Sequence, residues 1–349
     1  MTVITSITTS TVALPLRVPF TTARHTVTAA RSVQVQIHTQ NGHVGIGAGT
    51  PNEVVTGDTI ASMQAVLQDV LIPALIGCDL RDWQATLTRL HNAVHGNQTA
   101  KAALEFALYE LRAQQFGVSL PTLLGTSAPT VTTDLTISIK PPAQMLQEAR
   151  AYVAQGFTAL KIKVGGNKLA DDLALVKQIA AVLPANGSLR LDANQGWTVA
   201  EAASALRELA ALHLPIEFVE QPVAAANVAG LQELTALHLL PIMADESVYS
   251  DQDALRILAL HAADYVNIKL MKTGGISVAE KINAACAAYG VPCMVGSMIE
   301  PAQSLAPAVA FAAAHDNVRF TDLDAVYMVA DQQPALSIDG PKLTVNAHE

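Results

Sequence analysis

Lysines and acids recur at the ends of strand-like runs, at near-constant intervals. Lys163 in KIKV, Asp192 in LRLDAN, Glu220 in EFVEQP, Asp245 in IMADES and Lys269 in VNIKL follow one another at 29, 28, 25 and 24 residues. Each interval is about one βα unit, so the five residues are expected at one level on neighbouring strands. Three carboxylates (Asp192, Glu220 and Asp245) brought that close repel one another unless a cation sits between them. Oxygen ligands without histidine or cysteine favour Mg²⁺ over zinc or copper. The plainer alternative is that Lys161, Lys163 and Lys269 simply neutralise surface acids, but that role gives no reason for alignment at strand ends.

The lysines fall on the second and sixth of eight runs, hence on opposite sides of a ring. Two bases facing one carbon would suit a reaction that removes and returns a proton. A free lysine titrates near 10.4, too high for a base at neutral pH. Lys161 and Lys163 point to the same side of one strand, and this like-charge pairing, together with a metal, is expected to lower the value. Lys272 is either a further neighbour of this kind or a solvated loop lysine.

The elements that must position these residues alternate from about Thr130 onward. β-like runs at Asp134–Ile139, Ala159–Val164, Ser188–Ala193, Ile216–Gln221, Pro241–Glu246, Tyr265–Leu270, Pro292–Ser297 and Arg319–Asp324 are separated by alanine- and leucine-rich helical stretches. The pattern predicts an α/β fold with a (β/α)₈-type barrel, whose C-terminal strand ends converge on one mouth. Before it, Met1–Leu14 and Arg31–Gly47 read as antiparallel strands with a turn at Asn41-Gly42. Helices are expected over Thr59–Leu75, Arg81–Asn92 and Thr99–Phe116, the last capped near Asn97 or Thr99 and stopped by Gly117. The expected division is an α+β capping domain over 1–125, the barrel over 126–328, and a strand–turn–strand segment over 329–349 that returns to the capping domain.

With 349 residues the chain is long enough for two unequal domains. Its apolar content of 50% and mean hydropathy of +0.31 come largely from alanine in interrupted runs, so no membrane span is expected. The first ten residues read as a strand and not as a signal peptide. Three cysteines without metal-type spacing suggest free thiols and a cytoplasmic location. The net charge of −9 disfavours nucleic acid and anionic membranes as partners and leaves a small molecule, with a homo-oligomer as the expected assembly.

The set KIK, LDAN, EQP, ADES, NIKLMKTGG and DLD resembles the muconate-lactonising subgroup of the enolase superfamily, and within it the dipeptide epimerases. The resemblance implies a modified, enolase-like barrel with a capping domain and one Mg²⁺ per subunit on Asp192, Glu220 and Asp245. It implies that the ion holds the dipeptide's C-terminal carboxylate, as is general for enolase-type sites. Lys163 and Lys269 would be the alternating base and acid, Lys161 their assistant, and Asn194 and Glu246 would stand behind the metal ligands. Asp322 and Asp324, two apart on one strand and so facing one way, match the pair that holds a substrate's α-ammonium. Thr136, Ser297 and Met298 match other substrate contacts. Arg24 matches the arginine with which Ala-Glu epimerases bind the glutamate side chain.

The resulting expectation is Mg²⁺-dependent 1,1-proton transfer on a dipeptide such as L-Ala-D/L-Glu. Alternatives are an epimerase of apolar dipeptides, or an N-acylamino acid racemase, o-succinylbenzoate synthase or cycloisomerase of the same subgroup. Asp322 and Asp324 argue against the last three, whose substrates bring no ammonium. A non-catalytic barrel is disfavoured by the intact acids and lysines, and an acid-sugar dehydratase by the lack of histidine in VNIKL and PCMVGS.

Overall fold

Threonine alternating with valine and isoleucine sends every second side chain to one face, and the chain begins as a long strand. The computed structural model describes residues 2–21, 26–166, 168–330 and 334–346. Strand β1 (Ile4–Thr21) pairs antiparallel with β2 (Thr26–Thr39), and β2 with β3 (Val44–Gly49). β1 continues past its expected end at Leu14, across Pro15 and Pro19. It is an edge strand, where proline is tolerated, and a register shift between Pro15 and Phe20 absorbs the irregularity.

The expected helix over Thr59–Leu75 is α1 (Ile60–Val66), a π-helical turn (Leu67–Leu71) and α2 (Ile72–Leu75), with Thr59 and Ser62 closing a capping box. α3 (Trp83–Asn92) and α4 (Gln98–Phe116) follow. Asn97 is the N-cap of α4 by backbone position only, since its amide donates to the carbonyl of His95. α4 lies directly on β3, because Gly45, Gly47 and Gly49 present no side chain there. A Cβ at Gly47 would stand 2.0 Å from the Ala103 carbonyl oxygen.

After α5 (Leu120–Leu124) and β4 (Thr130–Thr132) comes the ring. Its strands are β5 (Leu135–Ile137), β6 (Ala159–Lys163), β7 (Ser188–Asp192), β8 (Ile216–Glu220), β9 (Ile242–Ala244), β10 (Tyr265–Lys269), β11 (Cys293–Gly296) and β12 (Val318–Asp322). Each lies within or one residue outside an expected run and bonds in parallel to the next. The intervening helices are α6 (Pro142–Ala154), α7 (Leu169–Ala180), α8 (Val199–Ala211), α9 (Val228–Thr235), α10 (Asp251–Ala259), the short α11 (Leu270–Thr273), α12 (Ile276–Ala288) and α13 (Ala302–Ala314). A last turn, α14 (Ala325–Met328), follows β12. β12 and β5 close the ring through single contacts: Asp134 N–H to the Thr321 carbonyl at 3.4 Å and Leu323 N–H to Thr133 Oγ1 at 2.8 Å.

Valine, isoleucine and leucine on the outward strand positions pack beneath the helices, and the inward positions form layers. Phe218, Met243, Met294 and Phe320 plug the lower interior. The acids and lysines at the strand ends stand above this plug, at the mouth, while Arg190 lies level with it, over the rings of Phe218 and Phe320.

The C-terminal segment starts against the cap, with Ala330 N–H on the Pro15 carbonyl at 2.9 Å. Its hairpin, β13 (Leu336–Asp339) and β14 (Lys342–Val345), then pairs with β4 instead of joining the β1–β2–β3 sheet. Leu336 and Leu343 belong to the apolar core cluster that runs beneath the barrel helices. Cys78, Cys286 and Cys293 are free thiols. No helix among the described residues is long and apolar enough to cross a membrane.

Candidate active site at the barrel mouth

Alternation along each strand decides which side chains enter the mouth. Thr136 on β5 faces Lys161 on β6, Lys163 faces Asp192 on β7, and Asp192 faces Glu220 on β8. Glu220, however, faces Met243 on β9, so Asp245 lies two residues further along. The near-equal spacing predicted a single level; barrel shear staggers it. Across the ring Lys269 on β10 faces Gly296 on β11, which faces Asp322 on β12. A Cβ at Gly296 would stand 2.8 Å from Asn267 Oδ1 and 3.1 Å from Lys269 Cε, so glycine makes room for both.

Asp192, Glu220, Asp245, Lys161, Lys163 and Lys269 are all buried here. Lys161 Nζ lies 3.1 Å from Asp192 Oδ2, 2.6 Å from Glu220 Oε2 and 2.7 Å from Asp322 Oδ2. Lys163 Nζ donates to Asp192 Oδ2 at 2.5 Å, and Lys269 Nζ to Asp245 Oδ2 at 2.7 Å. Both the acid alignment and the lysine neutralisation weighed from the sequence are therefore present together.

The charges pull in different directions. Burial raises Asp192, but Lys161 and Lys163 outweigh it and hold its carboxyl at about 2. Burial, and then the Asp192 charge, push Glu220 up to about 8. Burial acts to lower Lys161, yet Asp192, Asp322 and Glu220 hold it well above the ordinary lysine value. Lys269 is likewise raised, because Asp245 and Glu220 overcome its burial. Lys272 is lowered, because burial disfavours its charged form. Lys272 is no solvated loop lysine: its ammonium donates to Asp245 Oδ1 at 2.6 Å and to the carbonyl of Asn267 at 3.1 Å.

The oxygen donors fit a hard divalent cation. Glu246 Oε2, Asn194 Oδ1 and Asn267 Oδ1 are buried acceptors that receive no hydrogen bond from the described residues, and Glu220 Oε2 is met by the Lys161 ammonium at 2.6 Å. Such groups are costly unless something positive or a bound water meets them. Asn194, with a left-handed φ of 42°, is tied to Asp192 Oδ1 through its N–H at 2.9 Å and to Glu246 Oε1 through its amide at 3.3 Å.

A second acid cluster stands beside the first. One oxygen each of Asp134, Asp322 and Asp324 lies within 4.8 Å of the others. Arg190 Nη1 holds Asp134 at 2.8 Å, Lys161 holds Asp322, and Thr136 N–H holds Asp324 Oδ2 at 2.6 Å. Burial and then Asp322 push Asp324 up to about 6. Met298 is buried just beyond β11, with its N–H on Glu300 Oε1 at 3.1 Å, and Ser297 beside it is half-buried. Arg24 lies outside the described residues.

Sequence reasoning assigned no role to Arg190, Gln221 or Asn267. Asn267 Nδ2 donates to Glu220 Oε1 at 2.8 Å, and Gln221 Oε1 accepts from the N–H groups of Asp245 and Ser247 at 2.9 and 3.2 Å. A polar residue inside an otherwise apolar strand run, as in VNIK and EFVEQ, is the signal that could have found them.

A modified barrel with strand-end acids, paired lysines and a capping sheet defines an enolase-type protein. Residues 4–125 match the mandelate racemase / muconate lactonizing enzyme N-terminal domain and residues 144–343 the enolase C-terminal domain-like family; the chain belongs to the enolase superfamily. It is 46% identical to L-Ala-D/L-Glu epimerase of Bacillus subtilis (strain 168), over 92% of this chain and 88% of that one. It is 38% identical to hydrophobic dipeptide epimerase of Enterococcus faecalis (strain ATCC 700802 / V583), over 90% and 88%. The structure of a substrate-liganded complex of the Bacillus subtilis epimerase superposes with a TM-score of 0.96 at 43% identity, covering 99% of this chain and 96% of that one. The Enterococcus faecalis dipeptide epimerase complexed with Mg and the dipeptide L-Leu-L-Tyr superposes with a TM-score of 0.94 at 36% identity, covering 99% and 98%. These relatives are isomerases.

Proposed function

We propose that the chain is a Mg²⁺-dependent dipeptide epimerase that inverts the α-carbon of the C-terminal residue, with L-Ala-D/L-Glu as substrate. The carrying observation is the pairing of Lys163 and Lys269, on β6 and β10 across the mouth, with the Asp322–Asp324 pair beside them. The 46% identity to the Bacillus subtilis L-Ala-D/L-Glu epimerase supports the reading.

Asp192, Glu220 and Asp245 would hold the ion, with Asn267, Gln221, Asn194 and Glu246 fixing their orientation. When bound, Mg²⁺ supplies positive charge for the substrate carboxylate as negative charge develops there. Lys163 Nζ and Lys269 Nζ stand on opposite faces, one taking the α-proton while the other delivers one to the opposite side. Each needs a neutral amine to act as base. A divalent charge drawing Asp192 and Asp245 away from the lysines would remove the contacts that now hold Lys269 protonated. Asp322 and Asp324 would receive the α-ammonium, Thr136, Ser297 and Met298 would line the substrate, and Arg24 would meet the glutamate side chain. Free cysteines favour a reducing compartment such as the cytoplasm.

The test is incubation of L-Ala-L-Glu with enzyme and Mg²⁺ in D₂O, followed by NMR. Conversion to L-Ala-D-Glu with deuterium at the glutamate α-carbon is expected, and EDTA should abolish it. Conversion of L-Ala-L-Leu at least tenfold faster in kcat/KM would defeat the glutamate assignment, and no exchange on any dipeptide would defeat the reading as a whole.

A further inference from the structure

A cavity of about 370 Å³ lies between the end of β1 and the strand-end side of β5, and the proton transfer described above does not use it. One of its lining residues is Thr136, whose N–H is held by Asp324 Oδ2 at 2.6 Å. Two of its walls are Tyr152 on α6 and Tyr327 on α14, the turn that begins directly after Asp324. Both phenols are raised above their ordinary value, by burial first, and the Asp324 charge adds to the shift in each. A dipeptide whose ammonium rests on Asp324 therefore places its first α-carbon beside Thr136, and the first side chain has the adjoining space to enter.

The walls say which side chain fits. An alanine methyl occupies roughly the volume of one water, on the order of 30 Å³, and would leave most of the space to solvent. Glu148 and Tyr152 lie four residues apart on one face of α6. Lys140 Nζ pairs with Glu148 Oε1 at 2.5 Å, while Glu148 Oε2 is buried and receives no hydrogen bond from the described residues. A buried acceptor left without a donor is unfavourable, and a ligand that supplies one gains what the free protein lacks.

We infer that the enzyme takes dipeptides whose first residue carries a long side chain ending in a hydrogen-bond donor, the stem lying along Tyr152 and Tyr327 and the donor on Glu148. This rests on the dipeptide reading given above. The test measures kcat/KM for L-Gln-L-Glu, L-Lys-L-Glu, L-Met-L-Glu and L-Ala-L-Glu. L-Gln-L-Glu or L-Lys-L-Glu is expected to match or exceed L-Ala-L-Glu and to exceed L-Met-L-Glu about tenfold, an advantage that Glu148→Leu should erase as a ratio. If L-Ala-L-Glu turns over tenfold or more faster than every long-chain dipeptide, the inference falls while the epimerase reading stands. Methionine equal to glutamine in the wild type overturns the role of Glu148, and no turnover of any of the four removes both conclusions.

Discussion

The mouth holds two acid clusters that share one cation, Lys161, and differ in everything else. Asp192, Glu220 and Asp245 are surrounded by lysines; Asn267 and the Asn194 N–H orient oxygens of Glu220 and Asp192, and Gln221 holds the backbone N–H of Asp245. Among the described residues, Asp134, Asp322 and Asp324 are held by Arg190, Lys161 and a backbone N–H. Two of the three acids in the first cluster are consequently held below their ordinary values, and two of the three in the second are raised. Identical side chains thus suit different ligands: a cluster with oriented oxygens fits a metal ion, and one short of positive charge fits an incoming ammonium.

Replacing Asp324 by asparagine breaks the second cluster. It should lower kcat/KM for a free dipeptide by about 3 kcal/mol, roughly a hundredfold, because the ammonium loses a buried partner. The same change should stabilise the free enzyme at high pH. With Asp324 at about 6 in the fold and lower when unfolded, the native state keeps a proton that the unfolded chain has lost across that window. Native stability therefore falls as pH rises from about 4 to about 6, and Asp324→Asn removes that loss. Thermal melts of both proteins at pH 4 and pH 8 read it directly; equal pH slopes would show that Asp324 is not held protonated by the fold.

A smaller effect is expected in the first cluster from Asn267→Leu, which removes the donor to Glu220 Oε1 without removing a ligand. Residues behind metal ligands typically contribute ten- to hundredfold in affinity. Calorimetry with MgCl₂ alone should show about a tenfold weaker Kd, and an unchanged Kd would contradict an orienting role for Asn267.

The strands and the charged residues at their ends were legible because barrel strands are apolar runs broken by a polar residue only where they reach the mouth. Lys163, Asp192 and Glu220 came out in register, as their spacing implied. Asp245 did not, because shear is a property of the closed ring and leaves no trace in a linear interval. Lys272 was open between a neighbour of the mouth lysines and a loop lysine, since nothing local reveals that α11 folds its ammonium under Asp245. The C-terminal hairpin was readable as strand and turn, but its partner β4 is more than 200 residues away. Arg190 and Asn267 lay in plain view inside strand runs, and only the ring shows which acids they face.

The central claim is that Lys163 and Lys269 work on opposite faces of one α-carbon, and proton exchange in the single variants tests it most directly. Lys163→Ala and Lys269→Ala should each abolish epimerisation, while each still exchanges the α-proton of one epimer for deuterium, L-Ala-L-Glu in one variant and L-Ala-D-Glu in the other. Epimerisation at near wild-type rate by either variant, or exchange of the same epimer by both, would contradict it.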